Sequence, residues 1–248
     1  MYKLVEQLAN PGNYGGVRTA GQIRYLVFHY TGNDGDKAAN NAAYFQNNVV
    51  EASAHYFVDD TTVYRSVPEL RVAWAVGGSK YANAAATGGG TMYRKITNTN
   101  SLSIELCDTI RNGVYQASEA TLENAAALGR ELMEKYHIPL ENVYRHFDVT
   151  GKHCPSYLIA AGKWAAFKER LEEPEVRYRY LKDIPEAFRP TVELLMKAGI
   201  IQGDGSDPTG NGDVIDLSHD QVRTLVFCCR GGAFDSALQA AGLPGAVK

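Results

Sequence analysis

Eight residues near the N-terminus, Ile23 to Tyr30 (IRYLVFHY), are almost entirely β-branched, aliphatic or aromatic and end at the turn cluster Thr31-Gly32-Asn33-Asp34-Gly35. Such a run reads as a buried central strand, which commits the chain to a sheet with covering layers. The next segments supply them. Asp36 to Val49 places Ala39, Ala42, Ala43 and Phe45 near helical spacing. His55 to Val58 and Thr62 to Val67 read as a hairpin split by Asp59-Asp60-Thr61.

From Gly77 to Asn100 the glycine-, asparagine- and threonine-rich composition predicts a long loop, a common place for function. Leu102 to Cys107 is a strand whose alternation puts Ser103, Glu105 and Cys107 on one face. Ser118 to His137 carries Leu122, Ala125, Leu128, Leu132 and Tyr136 at helical spacing, with Ser118 suited to the cap and Ile138-Pro139 as the stop. Asn142 to His146 reads as a short strand, Asp148 to Pro155 as a loop, and Tyr157 to Leu171 as a helix burying Leu158, Ala161, Trp164, Phe167 and Leu171. Strands alternating with helices predict an α/β fold, a central mixed sheet flanked by helices.

The charged, proline-broken stretch Glu172-Glu173-Pro174-Glu175 divides the chain. Residues 1–172 are expected to form one domain, 173–179 a linker and 180–248 a small helical module. That module has a helix over Glu186 to Ala198, a turn-rich segment from Gly203 to Asp213, and a helix over Val222 to Cys229 opened by Ser218 and Gln221 at capping-box spacing. It is small for an independent core.

Composition narrows the function. Lys+Arg 25 against Asp+Glu 28 leaves a net charge of −3, with no basic surplus for a phosphate backbone, so no nucleic-acid partner is expected. No run approaches the roughly 20 apolar residues of a membrane span, and the opening MYKLVEQLANPGNYGG lacks a secretory h-region. Synthesis in the cytoplasm without a signal peptide is the expectation. Cys107, Cys154, Cys228 and Cys229 make no disulfide framework, and reduced thiols are expected.

Chemistry concentrates at His29 and in the loop from Arg145 to Pro155, which holds His146, Lys152, His153 and Cys154. Imidazole and thiolate are usual zinc donors, and three of them leave one position open. Spacing alone favours a core thiol and two polar loop histidines.

The segments VFHYTG around His29, Ser53 to Val58 (SAHYFV), Asn100 to Leu106 (NSLSIEL), and His146 with Lys152 and Cys154-Pro155 resemble, in unchanged order from about Tyr2 to Leu171, the type-2 zinc-dependent N-acetylmuramoyl-L-alanine amidases. That family includes phage endolysins and peptidoglycan recognition proteins. The resemblance implies zinc held by His29, His146 and Cys154, with Glu105 and Lys152 as catalytic residues. It also implies cleavage, in bacterial peptidoglycan, of the amide joining the lactyl group of N-acetylmuramic acid to L-alanine. The chemistry agrees: zinc polarises a carbonyl, a carboxylate takes a proton from water, and an ammonium stabilises an oxyanion. One departure is Ala75, where many relatives carry a histidine after the tryptophan, here Trp74. Trp74 itself reads equally as a saccharide-facing aromatic or a core residue.

His55 fits a family position that is not a metal ligand, so a structural hydrogen-bonding role is expected. His137 reads as a helix-end residue, His153 as exposed, and Cys107 and Cys229 as packed thiols. Tyr180 to about Asp235 resembles one S-layer homology repeat, which implies binding of cell-wall polysaccharide; a single repeat is expected to need pairing into a homodimer or docking on the first domain to bury its surface. The arginine usual at the start of its second helix is absent from Ser218-His219-Asp220-Gln221. The leading expectation is an endolysin that reaches the wall after release. The competing ones are a cytoplasmic muropeptide-recycling amidase, a non-catalytic peptidoglycan-binding module, and a cysteine peptidase using Cys154 and His146.

Overall fold

The computed structural model describes residues 2–172, 176–203 and 214–245. The chain divides into two compact units, Met1–Glu173 and Pro174–Lys248.

The first unit contains strands β1 (Lys3–Glu6), β2 (Tyr14–Val17), β3 (Tyr25–Asp34), β4 (Tyr56–Val58), β5 (Thr62–Arg65), β6 (Arg71–Ala73), β7 (Ser101–Arg111), β8 (Val114–Gln116) and β9 (Val143–Arg145). Its helices are α1 (Ala38–Asn47), α2 (Ala84–Thr87), α3 (Glu119–Tyr136), α4 (His146–Thr150) and α5 (Lys163–Glu169). Seven strands form one mixed sheet in the order β1-β5-β4-β7-β3-β9, with β8 added to β7, while β2 and β6 pair separately. Strands β3 and β7 are parallel with His29 opposite Glu105, and β4 joins from the other side with Phe57 opposite the same glutamate. The expected mixed sheet with flanking helices is thus the observed fold.

Alternation sorts the two faces of β3 and β7. Leu26, Phe28, Leu102, Ile104 and Leu106 enter the main core, which α3 covers with Ala125, Leu128 and Leu132. Ser118 caps α3 by accepting the Thr121 amide at 3.0 Å, and His137 ends it in the left-handed conformation at φ 52. Gly129 lets α3 sit close to the sheet, since a Cβ there would lie 2.6 Å from Leu171 and 3.2 Å from Phe28. His29 and Glu105 project from the opposite face.

Several expected boundaries shift. Strand β3 runs through the expected turn cluster to Asp34, because its last residue still pairs with Asp108 across an irregular register. The expected loop from Asp148 begins as helix: α4 starts at His146, with Asp148 accepting from the Arg145 amide at 2.8 Å and from its guanidinium at 2.7 Å. The expected helix from Tyr157 to Leu171 is reduced to α5, because Gly162 at φ +77 breaks it and Ala161 is exposed. The long segment after Gly77 holds only the single-turn α2 and an isolated bridge between Tyr93 and Ile96.

The second unit is more than helical. Strands β10 (Arg177–Tyr180) and β11 (Val214–Ser218) pair antiparallel, and α6 (Arg189–Lys197), α7 (His219–Arg230) and α8 (Asp235–Ala240) pack with them. Tyr178, Ile184, Val192, Ile215 and Val222 form one small core, and Leu195, Cys229 and Leu238 a second. Part of the expected 173–179 linker is therefore strand β10, while residues 173–175 lie outside the described residues, as does most of the expected Gly203 to Asp213 turn segment. The capping box at Ser218 and Gln221 is present. Among the described residues, no helix is long and apolar enough to cross a membrane.

Candidate metal centre and cleft

Register explains why residues far apart in sequence meet. Strand β9 pairs with β3 so that Arg145 lies opposite Phe28, which brings the next residue, His146, level with His29. After α4 the chain turns back, and the Cys154 carbonyl accepts the Phe147 amide at 2.9 Å. Gly151 permits that turn: its φ is +84, and a Cβ there would meet the Cβ of Ala84 at 2.3 Å. Arg145 fixes the segment from below by donating to the Leu158 carbonyl at 2.9 Å and lying over the Trp164 ring.

His29, His146 and Cys154 are all buried, and their ligand atoms lie within 4.8 Å of one another. His29 Nδ1 is 3.1 Å from His146 Nδ1 and 3.9 Å from Cys154 Sγ. Metal–donor lengths of about 2.0–2.3 Å place the donors of one tetrahedral ion about 3–4 Å apart, so the trio fits a zinc-type ion. Burial holds His146 down to about 3, with the Lys152 charge adding to it, and burial together with His146 and Lys152 lowers His29. Both rings are thereby neutral, the form that ligates. Burial, with the Glu105 charge beside it, pushes the Cys154 thiol up, so its thiolate calls for a nearby cation.

Glu105 Oε1 stands 3.8 Å from His29 Nδ1, and burial pushes the carboxyl up to about 8 against the pull of Lys152. Its Oε2 has no protein partner. Glu105 and Lys152 both line a cleft of about 590 Å³, together with Trp74, Ala75, Asp36 and Tyr44. Trp74 is thus half-buried at the cleft wall. Ala75 contributes a methyl group there, its amide held by Asn98 Oδ1 at 3.1 Å. The five residues singled out from sequence therefore converge on one locality. What sequence reading missed is the α1 side of the cleft, Asn33, Asp36, Asn40 and Tyr44, polar residues with no motif spacing to mark them.

His55, His153 and the other thiols lie outside the trio. His55 is fully buried, its Nδ1 accepts the Ser103 amide at 3.0 Å, its Nε2 lies 3.1 Å from the Arg71 carbonyl, and the Arg18 guanidinium is 2.8 Å away. Burial and the Arg18 charge hold it down to about 3. The unfolded chain takes up this proton near pH 6.5, so the stability His55 contributes is complete above that value and lost as pH falls toward about 3. Urea midpoints measured from pH 7 to 4 should fall less steeply for His55→Gln than for the parent; equal slopes would remove His55 from the acid response. His153 is exposed, all four cysteines are free, and Cys107 and Cys229 are buried.

A family profile described as N-acetylmuramoyl-L-alanine amidase matches residues 19–157. The N-acetylmuramoyl-L-alanine amidase CwlA of Bacillus subtilis (strain 168) is 30% identical over 173 residues, covering 68% of this chain and 57% of its own length. Among solved structures, PlyL is similar at 27% identity and a TM-score of 0.53 over 71% of this chain and 99% of its own. A mutant endolysin from Bacillus subtilis gives 27% identity and a TM-score of 0.54 over 69% of this chain and all of its own. The chain spans about half the length of the curated relatives it matches. The family match lies in the first unit, so it lends no support to the S-layer homology likeness of the second.

Proposed function

The chain belongs to the N-acetylmuramoyl-L-alanine amidase family, and from that premise we propose that it is a zinc-dependent peptidoglycan hydrolase of the phage or prophage endolysin type. It cleaves the amide between the lactyl group of N-acetylmuramic acid and L-alanine. The observation that carries this reading is the buried donor trio with a carboxylate 3.8 Å from one of its ligand atoms, at a cleft that also presents an ammonium.

His29, His146 and Cys154 would hold the zinc, which when bound supplies Lewis-acid polarisation of the scissile carbonyl and acidifies water. Glu105, partly desolvated beside the trio, accepts the proton of the attacking water and returns it to the departing L-alanine nitrogen. Lys152 presents its ammonium to the oxygen that gains charge as the carbonyl becomes tetrahedral. The surrounding protein keeps both imidazoles neutral and excludes bulk water from the donors.

A cysteine peptidase fits less well. Cys154 is 1% exposed with its thiol pushed up rather than poised as thiolate, and its sulfur lies 3.9 Å from Nδ1 of His29, a contact that a Cys154–His146 dyad does not use. Mass analysis of digested sacculi tests the main reading. New L-alanine amino termini without new reducing sugar ends are expected, and reducing ends alone would replace the amidase with a glycosidase.

The second unit, Pro174–Lys248, serves wall attachment or self-association in this reading. The main core is complete by Leu171, itself 2% exposed. A chain ending at Glu172 is therefore expected to stay soluble, bind about one zinc and cleave soluble muropeptides, while losing retention on sacculi or sedimenting as a smaller species. An insoluble or metal-free product would show that the units depend on each other.

A further inference from the structure

The cleft has two chemically different ends, and the register of β7 orders them about Glu105. At one end Trp74 is fastened to Ser53: the Ser53 amide donates to the Trp74 carbonyl at 3.2 Å, and the Trp74 amide to Ser53 Oγ at 3.0 Å. Two residues on, the His55 amide donates to the Ser103 carbonyl at 3.1 Å, so this end lies beside β7 before Glu105. At the other end the Asp108 amide donates to Asp36 Oδ1 at 3.0 Å. Asp108 follows Glu105 by three residues, roughly 10 Å along an extended strand.

Of the cleft-lining residues described, Asp36 and Glu105 carry the carboxylates and Lys152 the ammonium. Asp36 is anchored at both oxygens, by the Asp108 amide at Oδ1 and by the Asn41 side-chain amide at Oδ2. A carboxylate oxygen accepts two hydrogen bonds. Asp36 is therefore fixed in place yet retains capacity for a further donor, and the lining residues Asn33 and Asn40 add carboxamides on the same side of the cleft.

An extended peptide advances about 3.3 Å per residue and turns alternate side chains to one side. With the first stem residue at Glu105, the third lies about 7 Å further on, and a long side chain spans the remainder to Asp36. The opposite end offers the indole of Trp74, an amphipathic surface suited to a saccharide. Resting on the amidase reading, we infer that Asp36 is a specificity-determining residue that binds the side-chain ammonium of a diamino acid at the third position of the stem, with the sugar lying toward Trp74.

The test compares muramyl-L-alanyl-D-isoglutaminyl-L-lysine with the same compound acetylated at the lysine side-chain nitrogen, using the full chain loaded with zinc. Acetylation removes the charge and is expected to lower kcat/KM of the parent by about 10- to 100-fold, the range for a hydrogen bond between charged groups. Asp36→Asn, which keeps an oxygen for the Asp108 amide, is expected to bring the lysine substrate down to the acetylated level and to abolish the preference. A parent enzyme that cleaves both compounds equally overturns the inference and leaves the amidase reading standing. An Asp36→Asn enzyme that keeps the preference overturns it too, because another group must then read the ammonium. If neither compound is cleaved and sacculi yield no L-alanine amino termini, the amidase reading fails and this inference falls with it.

Discussion

Cys154→Ser is expected to lose most of its zinc and nearly all of its activity while remaining folded. A hydroxyl is a far poorer zinc ligand than a thiolate, and the other two donors are neutral imidazoles, so the substitution removes the one anionic ligand of the trio. The backbone should tolerate the change. Serine is close to isosteric with cysteine, and the Phe147 amide bonds the Cys154 carbonyl rather than its side chain. Elemental analysis of the parent should give about one zinc per chain, and circular dichroism of the variant should match the parent. Full zinc occupancy in Cys154→Ser would take the residue out of the site and return it to the role of a packed thiol.

How this site is encoded bears on what a sequence can disclose. The strand at Ile23 to Tyr30 and the helix capped by Ser118 are legible because their signals are local: a dense apolar run, and a cap followed by helical spacing. Strand β1 carries no such signal, since its residues are mostly exposed and its register is set by β5, some sixty positions later. The same holds for β10 and β11, which pair across about forty residues, and for the end of β3, where Gly32 and Asn33 argue for a turn that pairing with β7 overrides. Helix α4 falls across the expected end of a strand at His146 and the expected loop from Asp148, because a five-residue helix shows no periodicity; its signal is the Arg145 and Asp148 contact, visible only once β9 fixes Arg145 beside Phe28.

The candidate site divides along the same line. His29, Glu105, His146, Lys152 and Cys154 are legible only through motif order, since their spacing alone is uninformative, and only the register of β3, β7 and β9 brings them together. The Asp36 side of the cleft has neither motif nor period. It exists because the loop before α1 is held against β7 by the Asp108 amide bound to Asp36, and α1 itself against the end of β4 by the Ala38 amide donating to Asp59 at 3.0 Å. Sheet assembly, not local preference, makes that surface.

Glu105→Gln is expected to lower turnover by about 10²–10⁴ with zinc content nearly unchanged, the usual cost of removing a positioned general base. The carboxylate is not one of the three donors and stands 3.8 Å from His29 Nδ1, so glutamine leaves the ligand set intact. The amide keeps the size and hydrogen-bonding capacity of the side chain but cannot accept the proton of water, which separates chemistry from shape. Lys152→Ala should produce a comparable loss by a different route, since it removes a cation from the developing oxyanion and leaves the base in place. The two effects should be distinguishable in combination: if both residues serve the same transition state, the double variant should lose less than the product of the single losses. A Glu105→Gln enzyme that degrades peptidoglycan at close to the parent rate would reduce Glu105 to a carboxylate that shapes the cleft floor, and its partnerless Oε2 would then mark a site for water rather than a base.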